Sequence, residues 1–185
     1  MVPSTSSGFW QRYRRNRSAV FGLVIVGVTI LMSILAPFIF PSSPFALAGA
    51  PRTPPNAEFW LGTDTLGRDV MAGIFHGART SLLIGLTATL VSLTIGIIVG
   101  GTAGYYGGTI DNVLMRLTEF FQTIPNFLFA IVLVAVMTPS IYSIIIAIAV
   151  VTWPAVARLV RGEFMALRNR EFVQACVGIG MSDAR

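Results

Sequence analysis

The chain has 185 residues, of which 54% are hydrophobic and 11% are charged, and its formal net charge is +5. Soluble domains carry about a quarter of their residues as charges, so this composition excludes an ordinary soluble domain and indicates a membrane protein. The arginines are not interleaved with aromatic residues on any sizeable polar stretch, so membrane orientation explains the positive charge better than nucleic acid does. The single Cys176 excludes an intramolecular disulfide and offers no cysteine spacing for a metal.

The N-terminal segment "FWQRYRRNRS" (9–18) mixes aromatic residues with arginines. This mixture is typical of a helix at the inner membrane surface, with its rings in the interface and its guanidinium groups among anionic lipid headgroups. A charge anchor that only sets topology explains it equally well. The apolar run from Ala19 to Phe40 then predicts a first span, because a helix of about 20 residues crosses the hydrocarbon core. A cleaved signal peptide is disfavoured, since the run exceeds a signal core and three further spans follow.

A polar connection containing "FWLGTDTLGRDV" (59–70) follows the first span. Its glycines and its aspartates predict a turn held by side-chain to backbone hydrogen bonds, and helical spacing after Val70 predicts a short amphipathic helix. A catalytic carboxylate pair is disfavoured because Arg68 neutralises the acids, and His76 lacks further ligands at metal spacing. We therefore predict no catalytic and no metal-binding residue. The external loop motif consists of Leu61, Gly62, Thr63, Asp64, Gly67, Arg68 and Asp69.

Three more spans are predicted from the remaining uncharged stretches. Leu82 to Gly100 forms the second, and "MTPS" (137–140) divides the next stretch into a hairpin of roughly 122–137 and 141–157, the third span beginning near Asn112. Pro125 and Pro154 interrupt these two spans and should bend them. The bends either serve packing or belong to helices that line a pathway which opens and closes.

The predicted spans contain few charged residues and several glycines. Arg116 and Glu119 are three residues apart, which places them on one helix face, able to pair, at a depth close enough to the cytoplasmic interface to be tolerated. The other spans contain no ionisable group, which argues against a proton-coupled carrier and an intramembrane protease. Gly96, Gly100 and Gly104 have the small-residue spacing that allows helices to approach closely.

The arginines also predict orientation. They cluster before the first span and after the fourth, whereas the connection between spans one and two is mixed in charge. The positive-inside rule therefore places both termini in the cytoplasm and the loop at 41–80 outside. After the fourth span, small residues near Ala175 and Gly180 would let another surface approach the backbone. This predicts a docking element for a soluble partner, and a helix end with a glycine cap is the plain alternative.

Five of these stretches together resemble one family, the C-type permease subunit of bacterial ABC importers for oligopeptides, dipeptides and nickel. They are "FWLGTDTLGRDV" (59–70), "GARTSLLIG" (77–85), "AGYYGGTIDNVLMRLTE" (103–119), "IPNFLFAI" (124–131) and "TWPAVARLVRGEFMALRNREFV" (152–173), in the family's order. The resemblance implies an all-α membrane protein with the type I ABC importer transmembrane fold, with four of the family's six helices present.

The resemblance also implies partners and a coupling site. It implies a second permease, two cytoplasmic ATPase subunits, an external solute-binding protein and the lipid of the bacterial inner membrane, with no cofactor on this chain. ATP would be handled by the partners, and no P-loop occurs here. The family's cytoplasmic EAA loop, which seats on an ATPase, maps onto Gln174, Ala175, Cys176 and Gly180. Gln174 stands where the family has an acid, and Cys176 stands where it has a small apolar residue.

The chain ends at Arg185, before the second half of that loop would begin. We therefore expect a C-terminally truncated permease, with residues 1–80 as the anchor and external loop and residues 81–185 as the first part of the permease core. It would form part of the pathway of an ATP-driven importer for peptides or related small solutes. The alternative is a truncated product or membrane scaffold that transports nothing, and a small channel is the least favoured reading because the spans lack a polar pore stripe.

Overall fold

The computed structural model describes residues 13–181, apart from the side chain of Val177. Residues 1–12 and 182–185, which include the start of the predicted interfacial segment and Arg185, lie outside the described residues. The described residues form helices and no strand, with one isolated antiparallel bridge between Thr63 and Asp69. This confirms the predicted all-α class. The helices are α1 (Arg17–Ile39), α2 (Val70–Tyr106), α3 (Gly108–Thr123), α4 (Asn126–Val136), α5 (Ile141–Arg168) and α6 (Glu171–Gly178).

The helices have the dimensions of membrane spans. Among the described residues α1, α2 and α5 are each long and apolar enough to cross a bilayer, and α3 with α4 makes a fourth span if the bent pair is counted as one. The apolar side chains of α1 are largely exposed, as expected for a helix that faces lipid. The predicted number of spans is therefore consistent with the helices.

The chain divides into two compact units, Met1–Leu83 and Ile84–Arg185. In the first unit, the Asn16 side chain caps α1 by accepting a hydrogen bond from the Ala19 N–H (3.3 Å). Helix α1 ends at Ile39, and the Phe40 carbonyl then accepts a hydrogen bond from His76 Nε2 (2.9 Å). His76 thus ties the end of α1 to the first turns of α2.

Helix α2 differs from its prediction in extent. It runs without a break for 37 residues, so the amphipathic stretch after Val70 and the predicted span at Leu82 to Gly100 belong to one helix. No proline interrupts this stretch, and isolated glycines in a helix interior weaken it without ending it. The helix ends at Tyr106, where Gly107 and Gly108 take positive φ values of 67° and 56°. Such values suit glycine, which has no Cβ to clash.

The third predicted span is two helices. α3 and α4 meet at an 82° bend, with Ile124 in extended conformation and Pro125 at the N-terminus of α4. A proline disfavours helical geometry in the residue before it and supplies no N–H of its own, which explains why α3 stops here. Pro154 acts differently, because it is fully buried inside α5 and that helix continues past it.

Helix α5 is the centre of the second unit. It opens with a capping box formed by Ser140 and Ser143, and both α3 and α4 pack along it. Phe121 of α3 contacts the buried Trp153 of α5 edge to face, with ring centroids 5.4 Å apart, and it also lies 6.1 Å from Phe129 of α4. The aromatic cluster holds the bend of α3 and α4 against α5.

Candidate functional site

The external loop motif forms a closed turn in the first unit. Asp64 Oδ1 accepts hydrogen bonds from the backbone N–H groups of Leu66 (2.7 Å) and Arg68 (2.9 Å). The buried Thr63 hydroxyl donates to the Ala50 carbonyl (2.6 Å) and accepts from the Thr53 N–H (2.9 Å). These bonds join residues 50–53 to the motif, as expected for short polar side chains that bond nearby backbone.

Two glycines of the motif are required by the backbone. Gly62 and Gly67 have φ values of +72° and +80°, and a Cβ on either would overlap a backbone carbonyl, that of Thr53 or that of Gly49. Asp69 Oδ1 accepts from the Met71 N–H (2.8 Å) and so caps the start of α2. The motif residues therefore have well-defined roles in shaping the loop.

Arg68 acts on Asp64 through the hydrogen bond from its backbone N–H and through its charge, both of which lower the pKa of that carboxyl, but not through an ion pair. Within residues 13–181 it forms no ion pair with Asp64 or Asp69; its guanidinium lies over the Phe45 ring, 5.5 Å from the centroid, and its Nε is buried without a hydrogen bond. The arginine side chain thus contributes a cation–π contact to the loop. The aspartates are satisfied by backbone N–H groups, which no pattern of charges along the sequence would reveal.

Acidification is expected to loosen this turn. The hydrogen bond from the Arg68 N–H is the largest of the effects that lower the pKa of Asp64 below its ordinary value. A carboxylate with a lowered pKa stabilises the fold above the ordinary aspartate pKa, and the stabilisation is lost as the pH falls through the lowered value. Hydrogen exchange of the Leu66 and Arg68 amides should therefore speed up, relative to intrinsic rates, in that acid range. Asp64→Asn, which cannot titrate, is the control, and constant protection in the wild type would contradict the expectation.

The predicted coupling residues lie on and just after α6. Gln174 and Ala175 are exposed and Cys176 is half-buried. The Met181 N–H donates to the Cys176 carbonyl (3.1 Å), and Gly180 has a φ of +77°, which is a Schellman end. Phe172 and Ile179 are 63% and 77% exposed. The segment is thus a glycine-capped helix end that also presents large apolar side chains.

A bidentate ion pair that sequence reasoning missed joins α3 to α5. Arg161 Nε and Nη2 donate to the two carboxylate oxygens of Asp111, at 2.5 and 2.6 Å, and the two side chains are 32% and 13% exposed. Arg116 and Glu119, which their spacing allows to pair, do not do so: neither side chain forms an ion pair or hydrogen bond with a described residue. Their spacing permits contact but does not require it.

The glycines of α2 lie directly against α5. A Cβ on Gly96 would come within 2.5 Å of the Val156 Cγ1, and one on Gly104 would come within 2.8 Å of the Arg161 carbonyl oxygen. Ser92 lies one turn before Gly96 in α2, and its hydroxyl accepts a hydrogen bond from the Thr152 hydroxyl of α5 (2.9 Å). Close backbone approach with a hydrogen bond between helices is typical of membrane bundles.

Long apolar helices, glycine-mediated packing and a proline-broken span define a polytopic α-helical membrane protein. Residues 92–185 match the family model described as "Binding-protein-dependent transport system inner membrane component", and residues 4–55 match "N-terminal TM domain of oligopeptide transport permease C". The chain belongs to this family of transport permeases. The predicted resemblance is confirmed.

Curated relatives extend the match over nearly the whole chain. It is 39% identical to the dipeptide transport system permease protein DppC of Bacillus subtilis, over 95% of this chain and 55% of that protein. It is 38% identical to the oligopeptide transport system permease protein OppC of Bacillus subtilis, over 100% of this chain and 62% of that protein. It is 37% identical to the di/tripeptide transport system permease protein DppC of Pseudomonas aeruginosa, over 95% and 60%. The chain therefore spans less than two thirds of the length of these relatives.

Proposed function

We propose that this chain is a permease subunit of an ATP-driven importer for peptides or related small solutes. The names of its relatives support peptides as the solute class. The protein would form part of the translocation pathway and perform no bond chemistry itself. ATP hydrolysis would occur on two cytoplasmic ATPase subunits, and a second permease and an external solute-binding protein would complete the assembly.

The observation that carries this proposal is the junction of α5 and α6. Helix α5 has 28 residues, about 42 Å at 1.5 Å per residue, which exceeds a hydrocarbon core of about 30 Å. Because Arg168 and Arg170 follow its apolar part, the C-terminal turns of α5 would extend beyond the bilayer and lead into α6. Phe172 of α6 and Ile179 just after it are exposed. Exposed apolar residues on a short helix outside the membrane favour an interface with a soluble protein.

The distribution of arginines supports the proposed orientation. The arginines after Ala157 lie on the projecting end of α5 and beyond it, and the positive-inside rule assigns this end to the cytoplasm. With four spans, both termini would lie in the cytoplasm and the turn around Asp64 would lie outside. Closure of the ATPases would then reach the membrane through α6 and α5 as a rigid-body movement between two states.

Crosslinking from α6 tests the docking role. In membranes that contain the assembled transporter, a cysteine at the exposed Gln174 is expected to crosslink to cysteines introduced in the ATPase, with a yield that changes with bound nucleotide. Tyr142→Cys is the control, because Tyr142 is 77% exposed but lies at the opposite end of α5. Absence of a crosslink from Gln174→Cys in every nucleotide state would contradict docking and favour a membrane scaffold.

A further inference from the structure

Helix α3 has three distinct faces. One packs on α5 and includes Asp111, Thr118 and Phe121. The other two are exposed, and each is a row spaced by four, three and four residues, a spacing that keeps side chains on one side of a helix. The apolar row is Val113, Leu117, Phe120 and Ile124, and the polar row is Asn112, Arg116, Glu119 and Thr123.

The polar row contains two charged side chains, Arg116 and Glu119, that have no partner in the part of the chain that the structure describes. Within residues 13–181 the side chains of Arg116 and Glu119 form no ion pair or hydrogen bond, and the Thr123 hydroxyl donates to the Glu119 carbonyl of its own helix (3.1 Å). Yet α3 and α4 together have the hydropathy of a broken membrane span. An ionisable side chain within a span is costly against lipid and faces a protein interior or a water-filled cavity.

The bend of α3 and α4 supports a water-filled cavity beside the polar row. Residues 123–128 are exposed on both sides of the bend, and the extended Ile124 interrupts the helical backbone hydrogen bonds. Non-helical backbone at membrane depth persists only where protein covers it or water reaches it. Thr123, the last residue of the polar row, is exposed and ends α3 at this bend, so the polar row leads directly to the irregular backbone.

We propose that the polar row lines the translocation pathway and binds the charged ends of a peptide during transit. This rests on the proposed import of peptides. A free peptide near neutral pH carries one ammonium and one carboxylate group. Arg116 would bind the terminal carboxylate through its paired N–H donors, and Glu119, one turn further along α3, would bind the ammonium. The complementarity of these two charges to the two charged ends selects a peptide as the occupant.

Uptake of modified peptides tests the proposal. The assembled transporter, reconstituted in vesicles with its partner subunits, is given a free dipeptide, its C-terminal amide and its N-acetyl form. Arg116→Gln is expected to lower kcat/KM for the free dipeptide by about 10-fold or more, since a hydrogen bond to a charged group contributes about 1.5–3 kcal/mol. The same change should affect the amide by less than about 2-fold, because the amide has no carboxylate to lose. Glu119→Gln should show the same contrast with the N-acetyl form.

Controls on the same helix separate recognition from folding. Leu117→Ala in the apolar row should leave the ratio of kcat/KM for the free dipeptide to kcat/KM for its amide unchanged. Arg116→Lys, which keeps the positive charge, should recover part of the kcat/KM for the free dipeptide that Arg116→Gln loses. Equal losses for free and amidated dipeptide in Arg116→Gln would overturn the assignment. They would instead support pairing of Arg116 with a charge on the second permease.

Thiol labelling keeps the proposal testable whatever the charge variants do. Asn112→Cys and Thr123→Cys should react with a negatively charged methanethiosulfonate, and the free dipeptide should slow that reaction. Val113→Cys and Leu117→Cys in the apolar row should not react, and mass spectrometry separates each site from Cys176. Unreactive polar-row cysteines would overturn the proposal. If the wild type imports no peptide, the proposed function fails. Slower labelling of the polar-row cysteines in the presence of the dipeptide would then still show whether the row binds a peptide.

Discussion

Replacing Gly100 with alanine is expected to separate α2 from α5. A Cβ at this position would overlap the Ala157 carbonyl oxygen and lie 2.9 Å from its carbonyl carbon and 3.0 Å from its Cα. These are backbone atoms of a 28-residue helix, so they cannot move aside as a flexible side chain would. Overpacking in a well-packed interior costs about 1–3 kcal/mol, and contact with backbone places the substitution at the upper end of that range or beyond it.

The measurement is the unfolding of purified protein in mixed detergent, followed by circular dichroism. Gly85→Ala is the matched control, because Gly85 lies in the same helix and has no atom within 4 Å of a Cβ built on it. Alanine is the better helix former, so this variant should be as stable as the wild type or slightly more stable. Equal stabilities for the two variants would show that Gly100 is not a site of close helix approach.

The spans could be predicted because hydropathy is read over about 20 residues at a time. For the same reason, the ends of the helices were predicted less accurately than the positions of the spans. The helix predicted after Val70 joins the predicted span in α2, which then continues past Gly100 to Tyr106, where the glycine turn at 107–108 ends it. This extension at the C-terminal end does not change the hydropathy of the span. The bend near Pro125 was predictable in position from the local effect of proline, whereas its angle of 82° depends on packing against α5.

Charged residues were harder to place from sequence. The ion pair between Asp111 and Arg161 was not predicted, because the two residues are 50 positions apart in the sequence and meet only in the folded chain. Arg116 and Glu119 looked able to pair because they are three residues apart on one helix. An ion pair at this spacing contributes only about 0.2–0.5 kcal/mol, so other surroundings of the two side chains can outweigh it. The roles assigned to Gln174 and Cys176 stay predictions, since an interface cannot be read from one partner.

Loss of the Asp111 carboxylate is expected to release the start of α3 from α5. Asp111→Asn keeps the shape of the side chain but removes the charge that faces Arg161, while the guanidinium remains about two thirds covered. Removing one partner of a buried pair costs about 3–5 kcal/mol, and partial exposure here reduces the expected loss to about 1–3 kcal/mol of unfolding free energy. Detergent unfolding measures this loss, and Arg158→Gln, an exposed arginine of α5 that forms no ion pair among the described residues, is the control.

The exchanged pair Asp111→Arg with Arg161→Asp decides whether pairing or packing matters. If the bidentate contact is what holds α3, the exchange should recover about half or more of the stability that either single change removes, and the coupling energy of the four-variant cycle should be about 0.5–3 kcal/mol. The Arg161 turn is closely packed by Gly104 of α2, so an additive cycle would place the effect in that packing instead. Because α5 leads into α6 while α3 carries the polar row, coupled stabilities would show that this ion pair joins the helix that carries the polar row to the helix that leads into α6.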